Sequence, residues 1–536
     1  FRVAVAWVAM STFERLGRVG LPMSATELAA RHWDAVIVGG GHNGLTAAAY
    51  LARSGRAVLV LERREQLGGA CTLERPFADD RFVVSPCAYL VGLLHPLVIA
   101  ELDLARRGYR TFVCDPVSWS PFTDRTSLTQ WGDEAKTLRE VDALAPDNVD
   151  GFRTYTAVFT RLREALRNGE RDTWVGAAPD HAELEALLAD DAEGREIVLG
   201  DASIADVIER HVADERLRTA LHGQGIVGTN AGPRDRGTAW IHGLHSLGLI
   251  GGWSYVEGGM GRVSFCIADA AIEAGAVLAA GTPVAAIHPG EGVRLEGGEL
   301  IRARAVISNA DPKRTLALCA GGDVPSDFHA RVDAWRCESP VVKLNCALAR
   351  LPAFAAAPGR PEHVYRAQVQ LSATIDETQA AFTRCQRGEP APAWCELYFQ
   401  TAYDSSVAPP GRHLMSVFAQ YVPHTLHEGD WTTRRDEVAD RVLDFIAVFA
   451  PDVRDCIAER QVLGPPDIEA RIGLSGGHIF QGECTPDQMW DRRFSPRTPV
   501  DSLYLCGAAT HPGGSVIGIN GRNAAMAVLA DLDDAD

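Results

Sequence analysis

An α/β fold is predicted for this 536-residue chain by three observations. A strand, glycine turn, helix and second strand stand near the start. Helical and extended segments alternate through the middle, and a further strand, glycine turn and helix close the chain. The first unit, residues 35–69, reads AVIVGGGHNGLTAAAYLARSGRAVLVLERREQLGG. An apolar strand over 35–38 runs into Gly39-x-Gly41-x-x-Gly44, and a helix of small and apolar residues follows until Gly55 stops it. A second apolar strand over 57–61 ends on Glu62. This spacing builds a dinucleotide-binding βαβ unit. Gly39 permits the tight turn, Gly41 lets the backbone approach a pyrophosphate, and Gly44 lets the helix lie close to the strand. His42 and Asn43 open the helix, whose free N–H groups and positive dipole end face two phosphates. Glu62 stands 18 residues past Gly44, where a carboxylate can accept hydrogen bonds from both ribose hydroxyls.

The residues after the second strand decide which dinucleotide is bound. Arg63 and Arg64 lead into Gly68-Gly69-Ala70. A second diglycine after an acid-terminated strand resembles the extended phosphate-binding segment of FAD-dependent oxidases and desaturases. Simple nicotinamide dehydrogenases do not usually carry it, so FAD is the expected cofactor.

Composition narrows the class. The length suits two or three domains with a large core. A formal net charge of −18 argues against nucleic acid and against polybasic attachment to anionic lipid. Twelve cysteines form no C-x-x-C pair and no Cys/His cluster at metal spacing, so no metal is expected and free thiols in a reducing, cytoplasmic compartment are. Cys71 follows the diglycine, but Pro76 stands five residues on, so the redox-active cysteine pair of flavin disulfide reductases is missing. Residues 1–33 are read as an N-terminal extension. Their first ten are mostly apolar but too few to span a bilayer, and no later run approaches the roughly 18 apolar residues that would. Peripheral membrane contact stays open.

Residues 134–222 read as mainly helical, with Leu, Ile, Val and Phe at 3–4 spacing, and 205–223 as the clearest amphipathic helix. A glycine-rich segment, YVEGGMGRVSFCIADAAIEAG, leads into a helix ending at Gly275. Short extended segments around 284–287, 293–295 and 305–308, separated by Pro-Gly, Glu-Gly and Gly-Gly turns, predict an antiparallel flap beside the nucleotide sheet. The last unit is LYLCGAATHPGGSVIGINGRNAAMAVLADL: a strand over 503–505, a turn through Gly507 and His511-Pro512-Gly513-Gly514, and a helix opening near 516–518. With FAD on the first unit, backbone N–H groups here suit the flavin ring. A helix N-terminus near its developing negative charge contributes about 0.3–1 kcal/mol.

At this point the chain resembles the phytoene desaturase-like flavoproteins of the amine oxidase superfamily, and within them the branch of pyridine nucleotide-disulfide oxidoreductase domain-containing protein 2. VIVGGGHNGL, LERREQLGGA, YVEGGMGRVS, AVISNADPKRTL, VVKLNCAL, LSGGHIFQGE and LYLCGAATHPGGSVIGINGRNAA carry the likeness. It implies a Rossmann-type FAD-binding domain built in three visits (34–105, 251–325 and 469–536) and a mixed α+β substrate domain from 106–250 and 326–468. It also implies noncovalent FAD, held by the residues already named together with Val284, Asn309, Gly507, His511, Gly514, Ser515, Val516 and Ile517. An apolar tunnel above the flavin is implied too.

The same resemblance excludes neighbours. Amine oxidases of the superfamily place an aromatic ring in the C-terminal glycine segment, where this chain has Gly514-Ser515-Val516-Ile517. Gly258-Gly259-x-Gly261 is read as a close-packing turn, not a second nucleotide site. Electrons are therefore expected to leave to oxygen, a quinone or a protein acceptor. Flavin dehydrogenation needs a C–H near the flavin and can use a base; His511, His478, Glu483 and Lys343 are the candidates. The reading is an FAD-dependent desaturase or dehydrogenase acting on a largely apolar, isoprenoid or lipid-like molecule. Alternatives are a double-bond reductase (saturase) and a flavin-bearing interaction protein without turnover. Substrate, direction and oligomeric state are open at this point.

Overall fold

A computed structural model describes residues 10–169, 171–248, 252–321 and 324–535. The apolar stretch 1–9 and the expected 250/251 boundary lie outside the described residues. At the centre stands Trp33–Val38, buried along nearly its whole length. It belongs to a parallel arrangement ordered Val277–Ala280, Val58–Glu62, Trp33–Val38, Leu300–Ser308, Leu503–Leu505. Strands this apolar must be covered on both faces. One face takes the helices His42–Arg53, Gly261–Glu273 and Ile519–Ala535, the first packing on the other two. The other carries the antiparallel strands Val284–His288 and Gly292–Leu295, the latter paired with the first residues of Leu300–Ser308.

Two expectations change here. Residues 305–308 were expected in the antiparallel flap, yet they pair parallel with Trp33–Val38, because one long strand serves both arrangements. The expected extension is fastened down from residue 10. The Gly17 and Gly20 carbonyls accept from the Leu67 and Ala280 N–H groups, and Leu28, on the capped helix Ala25–Ala29, is fully buried against the sheet.

A second sheet is ordered Ile457–Leu463, Val341–Leu348, His413–Gln420, Trp394–Tyr398, Gln368–Ser372, Ser118–Pro121, Ser127–Gln130. It is antiparallel except where Gln368–Ser372 meets Ser118–Pro121. Helices from Glu134–Leu144 to Thr238–Gly248 form the third layer. The expected helix over 205–223 is two, Ile204–His211 and Glu215–Leu221. Val212 is extended, and the Asp214 carboxylate caps a new start by accepting from the Arg216 and Leu217 N–H groups, a stronger local signal than the continuing apolar spacing. Among the described residues no helix is long and apolar enough to cross a membrane.

Candidate functional site

The first glycine turn leaves Trp33–Val38 at the carboxyl edge of the parallel strands, the usual ligand crevice of such sheets. Gly39 has φ +102°, a conformation that side chains resist. A Cβ on Gly44 would sit 2.3 Å from the Gly39 carbonyl oxygen, so this glycine sets the approach of helix to strand. The helix begins at His42 after Gly41, leaving its first N–H groups without intrahelical partners. The Glu62 carboxylate accepts one backbone N–H on each oxygen, Gly40 and Arg64, both at 2.8 Å. That holds the carboxylate in place and leaves a lone pair on each oxygen.

These pieces surround a cavity of about 320 Å³. Of the expected cofactor residues, Gly39, Gly41, His42, Asn43, Glu62, Arg63, Gly68, Gly69, Ala70, Val284 and Asn309 line it. Arg63 donates to the Ala470 and Arg471 carbonyls at 2.9 Å, tying the cavity edge to the helix Pro465–Ile472. Burial lowers the His42 pKa to about 4, so its imidazole is neutral at pH 7. Arg314, Gln481 and Ala508 also line the cavity and were missed. Each had a signal, Ala508 beside Gly507, Arg314 within AVISNADPKRTL and Gln481 within LSGGHIFQGE.

Six expected cofactor residues line neither this cavity nor the one beside it. Gly44 packs helix on strand. Arg64 bridges the Gly69 carbonyl and Glu74. A Cβ on Gly507 would meet Gln481 Oε1 at 2.3 Å, and one on Gly514 would meet the Phe480 backbone at 2.8 Å; both glycines allow close chain packing outside the cavity lining. Ile517 is in the apolar core, and the last helix begins at Ile519, later than expected. His511 donates from Nε2 to the Thr173 carbonyl at 2.7 Å, and burial lowers its pKa to about 4. It holds the turn in neutral form.

Beside the nucleotide cavity lies a second, of about 150 Å³, walled mainly by apolar side chains. His42, Ala70, Leu474, Ile479 and Ala508 line both. Ser515 and Val516, both with positive φ, bring the C-terminal glycine segment to this second space. Lys343 lines it as well, fully buried, with burial pulling its pKa down to about 7. Its Nζ donates to Asn345 Oδ1 at 2.9 Å and to Ser416 Oγ. Glu396, Tyr398, Tyr89, Gln368 and Gln224 share the wall. Sequence reading missed them, since no local pattern marks which strands will be neighbours.

His478 and Glu483 are not at this space. The His478 ring accepts at Nδ1 from the Phe480 and Gly482 N–H groups, and its Nε2 meets Glu483 Oε1 at 3.2 Å. Burial would raise the Glu483 carboxyl, but His478, Thr229 and the Asn230 N–H hold it below the usual range. Glu483 instead lines a separate polar cavity of about 750 Å³. That larger space shares no wall with the other two and is edged by ion pairs such as Arg336–Asp487 and Arg236–Asp201. Both residues are corrected to a loop clamp. The Gly258–Gly261 turn is filled: Cβ atoms at Gly259 and Gly261 would strike Leu73 at 2.5 and 2.7 Å, which leaves no room for a pyrophosphate.

A family profile described as an NAD(P)-binding Rossmann-like domain matches residues 37–93. The chain is 34% identical to pyridine nucleotide-disulfide oxidoreductase domain-containing protein 2 of Mus musculus, over 93% of this chain and 94% of that one. It is 25% identical to a limonene dehydrogenase subunit of Castellaniella defragrans, over 93% and 95%. Putrescine oxidase, solved with putrescine bound, shares the fold: TM-score 0.60 at 15% identity, over 94% of this chain and 99% of that one.

The parallel sheet, the glycine cradle with its acid, and the adjoining apolar cavity define an FAD-dependent oxidoreductase. The chain belongs to the family of pyridine nucleotide-disulfide oxidoreductase domain-containing protein 2. The residues present fit FAD. Asn43 lines the cavity with a buried Oδ1 that has no partner, Glu62 keeps free lone pairs, and the two cavities adjoin as a nucleotide and a ring system require. Disulfide chemistry finds no nucleophile at the diglycine. Burial raises the Cys71 thiol to about 11, it donates to the Met260 carbonyl at 3.2 Å, and all twelve cysteines are free.

Proposed function

We propose that the chain dehydrogenates a small, largely apolar molecule held in the 150 Å³ space, with electrons passing on to oxygen, a quinone or a protein acceptor in a reducing compartment. One observation carries this: the apolar cavity shares five wall residues with the nucleotide cradle, so a molecule in it lies against the cofactor. Bound FAD supplies hydride acceptance. The chain does the rest. Glu62 accepts from the ribose hydroxyls, the His42–Arg53 N-terminus faces the phosphates, and Trp253, Phe480 and Ile479 keep water from the reacting carbon. An engineered cavity of about 150 Å³ takes a benzene ring, so the enclosed part suits one ring or a short branched chain. One relative's name fits that range, a limonene dehydrogenase subunit, while a hydroxyneurosporene desaturase and a phytoene desaturase are named for much longer molecules.

Anaerobic titration with candidate hydrocarbons and alcohols, followed by the visible flavin band, tests the reading. Bleaching by a saturated or allylic substrate supports it. An alkene that reoxidises photoreduced protein reverses the direction to a saturase, and failure of both denies turnover. Reduced protein mixed with NAD+ or NADP+ should stay bleached, while a soluble quinone or air restores colour. Rapid reoxidation by either nicotinamide would overturn the acceptor assignment.

A further inference from the structure

The second sheet has two unlike faces. Val342, Leu344, Leu397 and Val417 point into an apolar core. The alternate residues Lys343, Phe418 and Glu396 stand in register on adjacent strands, Lys343 opposite Phe418 and Phe418 opposite Glu396. All three line the apolar cavity. Paired residues of an antiparallel sheet share a face, so this row is one wall, polar at two points. Tyr398, two residues along the same strand, and Gln368, at the matching step of the neighbouring strand, extend this end of the wall on one side of Glu396.

Glu396 is 2% exposed. One carboxyl oxygen accepts from the Gln368 amide and from Gln224 Nε2 at 3.3 Å, the other from the Tyr398 hydroxyl. Its partners are all amides and phenols, the Gln370 amide and the Tyr89 hydroxyl also reaching the carboxyl, with no cation among them. The Tyr89 ring lies 4.4 Å from that of Tyr398, centroid to centroid, and Lys343 Nζ lies 4.8 Å from the Tyr89 centroid. A buried carboxyl without a cation is expensive to hold, and one fronting a ligand-sized cavity is a candidate recognition group. Two wall features restrict the ligand. A pure hydrocarbon would strip water from Glu396, Tyr398 and Lys343 and return no hydrogen bond. An ammonium would meet Lys343 on the same wall. A neutral hydroxyl or carbonyl suits phenol, amide and carboxyl alike, because these groups between them both donate and accept.

We propose that Glu396, with Tyr398 and Gln368, is the specificity-determining end of the pocket, and that it binds the hydroxyl or carbonyl oxygen of an otherwise apolar substrate. The substrate class is thus an alcohol or ketone on a small hydrocarbon frame. This deepens the reading above and rests on it. Burial raises the Glu396 carboxyl to about 7, which lets the group present either a donor or an acceptor near neutral pH.

Three probes of one shape separate the outcomes: cyclohexylmethanol, methylcyclohexane and cyclohexylmethylamine, titrated into the holoprotein by calorimetry and by shift of the visible flavin band. The alcohol should bind about tenfold or more tighter than the hydrocarbon, because a site built for a hydroxyl discriminates against its absence. Glu396→Leu should bring alcohol and hydrocarbon within about twofold of each other. Glu396→Gln, which keeps the shape and one acceptor, should retain part of the preference. If Glu396→Leu does not accumulate folded, Tyr398→Phe decides, with an expected loss of about three- to tenfold in preference. Equal binding of alcohol and hydrocarbon by the unaltered protein, an unchanged preference in the variants, or tightest binding of the amine would each overturn the proposal. Calorimetry reads the preference whether or not flavin is bound. A protein that binds no flavin therefore sinks the oxidoreductase reading, and a missing preference sinks this one.

Discussion

The nucleotide cradle and the pocket beside it are built by opposite means. The cradle is mostly backbone: one glycine at φ +102°, the free N–H groups of one helix end, and a single carboxylate braced by two N–H groups. Its first glycine turn, its diglycine and its acid come from one run of chain, residues 38–70, and later segments complete the wall. The pocket is side chains, drawn from separate strands, helices and loops between His42 and Val516. Two of its ionisable wall residues, Lys343 and Glu396, are both pulled to about 7 by burial, from opposite sides. A backbone-made site tolerates change in its neighbours but no added atom. A side-chain-made site accepts new atoms but carries a standing electrostatic strain.

The largest effect should come from adding atoms to the cradle. Gly44→Val places carbon within 2.3 Å of a backbone oxygen that cannot step aside. We expect a loss of about 3 kcal/mol or more and no flavin in the purified protein. Gly41→Ala is the contrast, since its Cβ would meet only the tip of Asn309 at 2.7 Å. That variant should fold with near-normal melting and still lose flavin. Equal melting of the two variants would erase the distinction between packing and cofactor glycines.

The pocket should show itself through pH. The folded Lys343 pKa of about 7 lies below the ordinary 10.5, so its stabilising contribution is full above 10.5 and is lost as pH falls toward 7. Glu396 is raised to about 7 from 4.5, so its contribution is full below 4.5 and is lost as pH rises through 7. The two opposing slopes meet in a minimum near neutrality, on the order of a few kcal/mol deep. Thermal melts of the unaltered protein and of the Lys343→Met/Glu396→Gln double variant, from pH 5 to about pH 10, should differ most near pH 7. A difference that does not vary with pH would show that neither group is strained.

Smaller still is the effect of the cradle's carboxylate. Removing a charged acceptor costs about 1.5–3 kcal/mol, so Glu62→Ala should weaken FAD about ten- to a hundredfold in a flavin-quench titration. Part of that loss reflects the freed Gly40 N–H, and Glu62→Gln should recover part of it. An unchanged dissociation constant would remove Glu62 from the ribose. Smallest is His511→Gln, which forfeits one hydrogen bond to Thr173, about 1 kcal/mol. The pH profile of flavin reduction should stay as it was; a lost or shifted ionisation would restore His511 as a participant.

What the sequence determined alone is the part whose chemistry is local. A turn at positive φ, a close helix approach and an acid at a strand end each dictate a residue type at a set spacing. The first βαβ unit, the FAD assignment and the cradle's glycine turns and acid could be read from 32 residues of motif between Val38 and Gly69. The Leu503–Leu505 strand was legible for the same reason. Only the tertiary structure decided the rest. Lys343 reads more readily as an exposed strand residue, but pairing opposite Phe418, itself opposite Glu396, places it on the inward face. His478 and Glu483 looked catalytic by type and proximity, yet they bond each other, the His478 ring also holds its own loop, and Glu483 ties that loop to Thr229 and Asn230. Residues 305–308 joined the parallel strands because the neighbour that buries them lies about 270 positions away. Which side chains meet across a pocket depends on strand order and register, which are long-range properties of the packed chain that no window of residues contains.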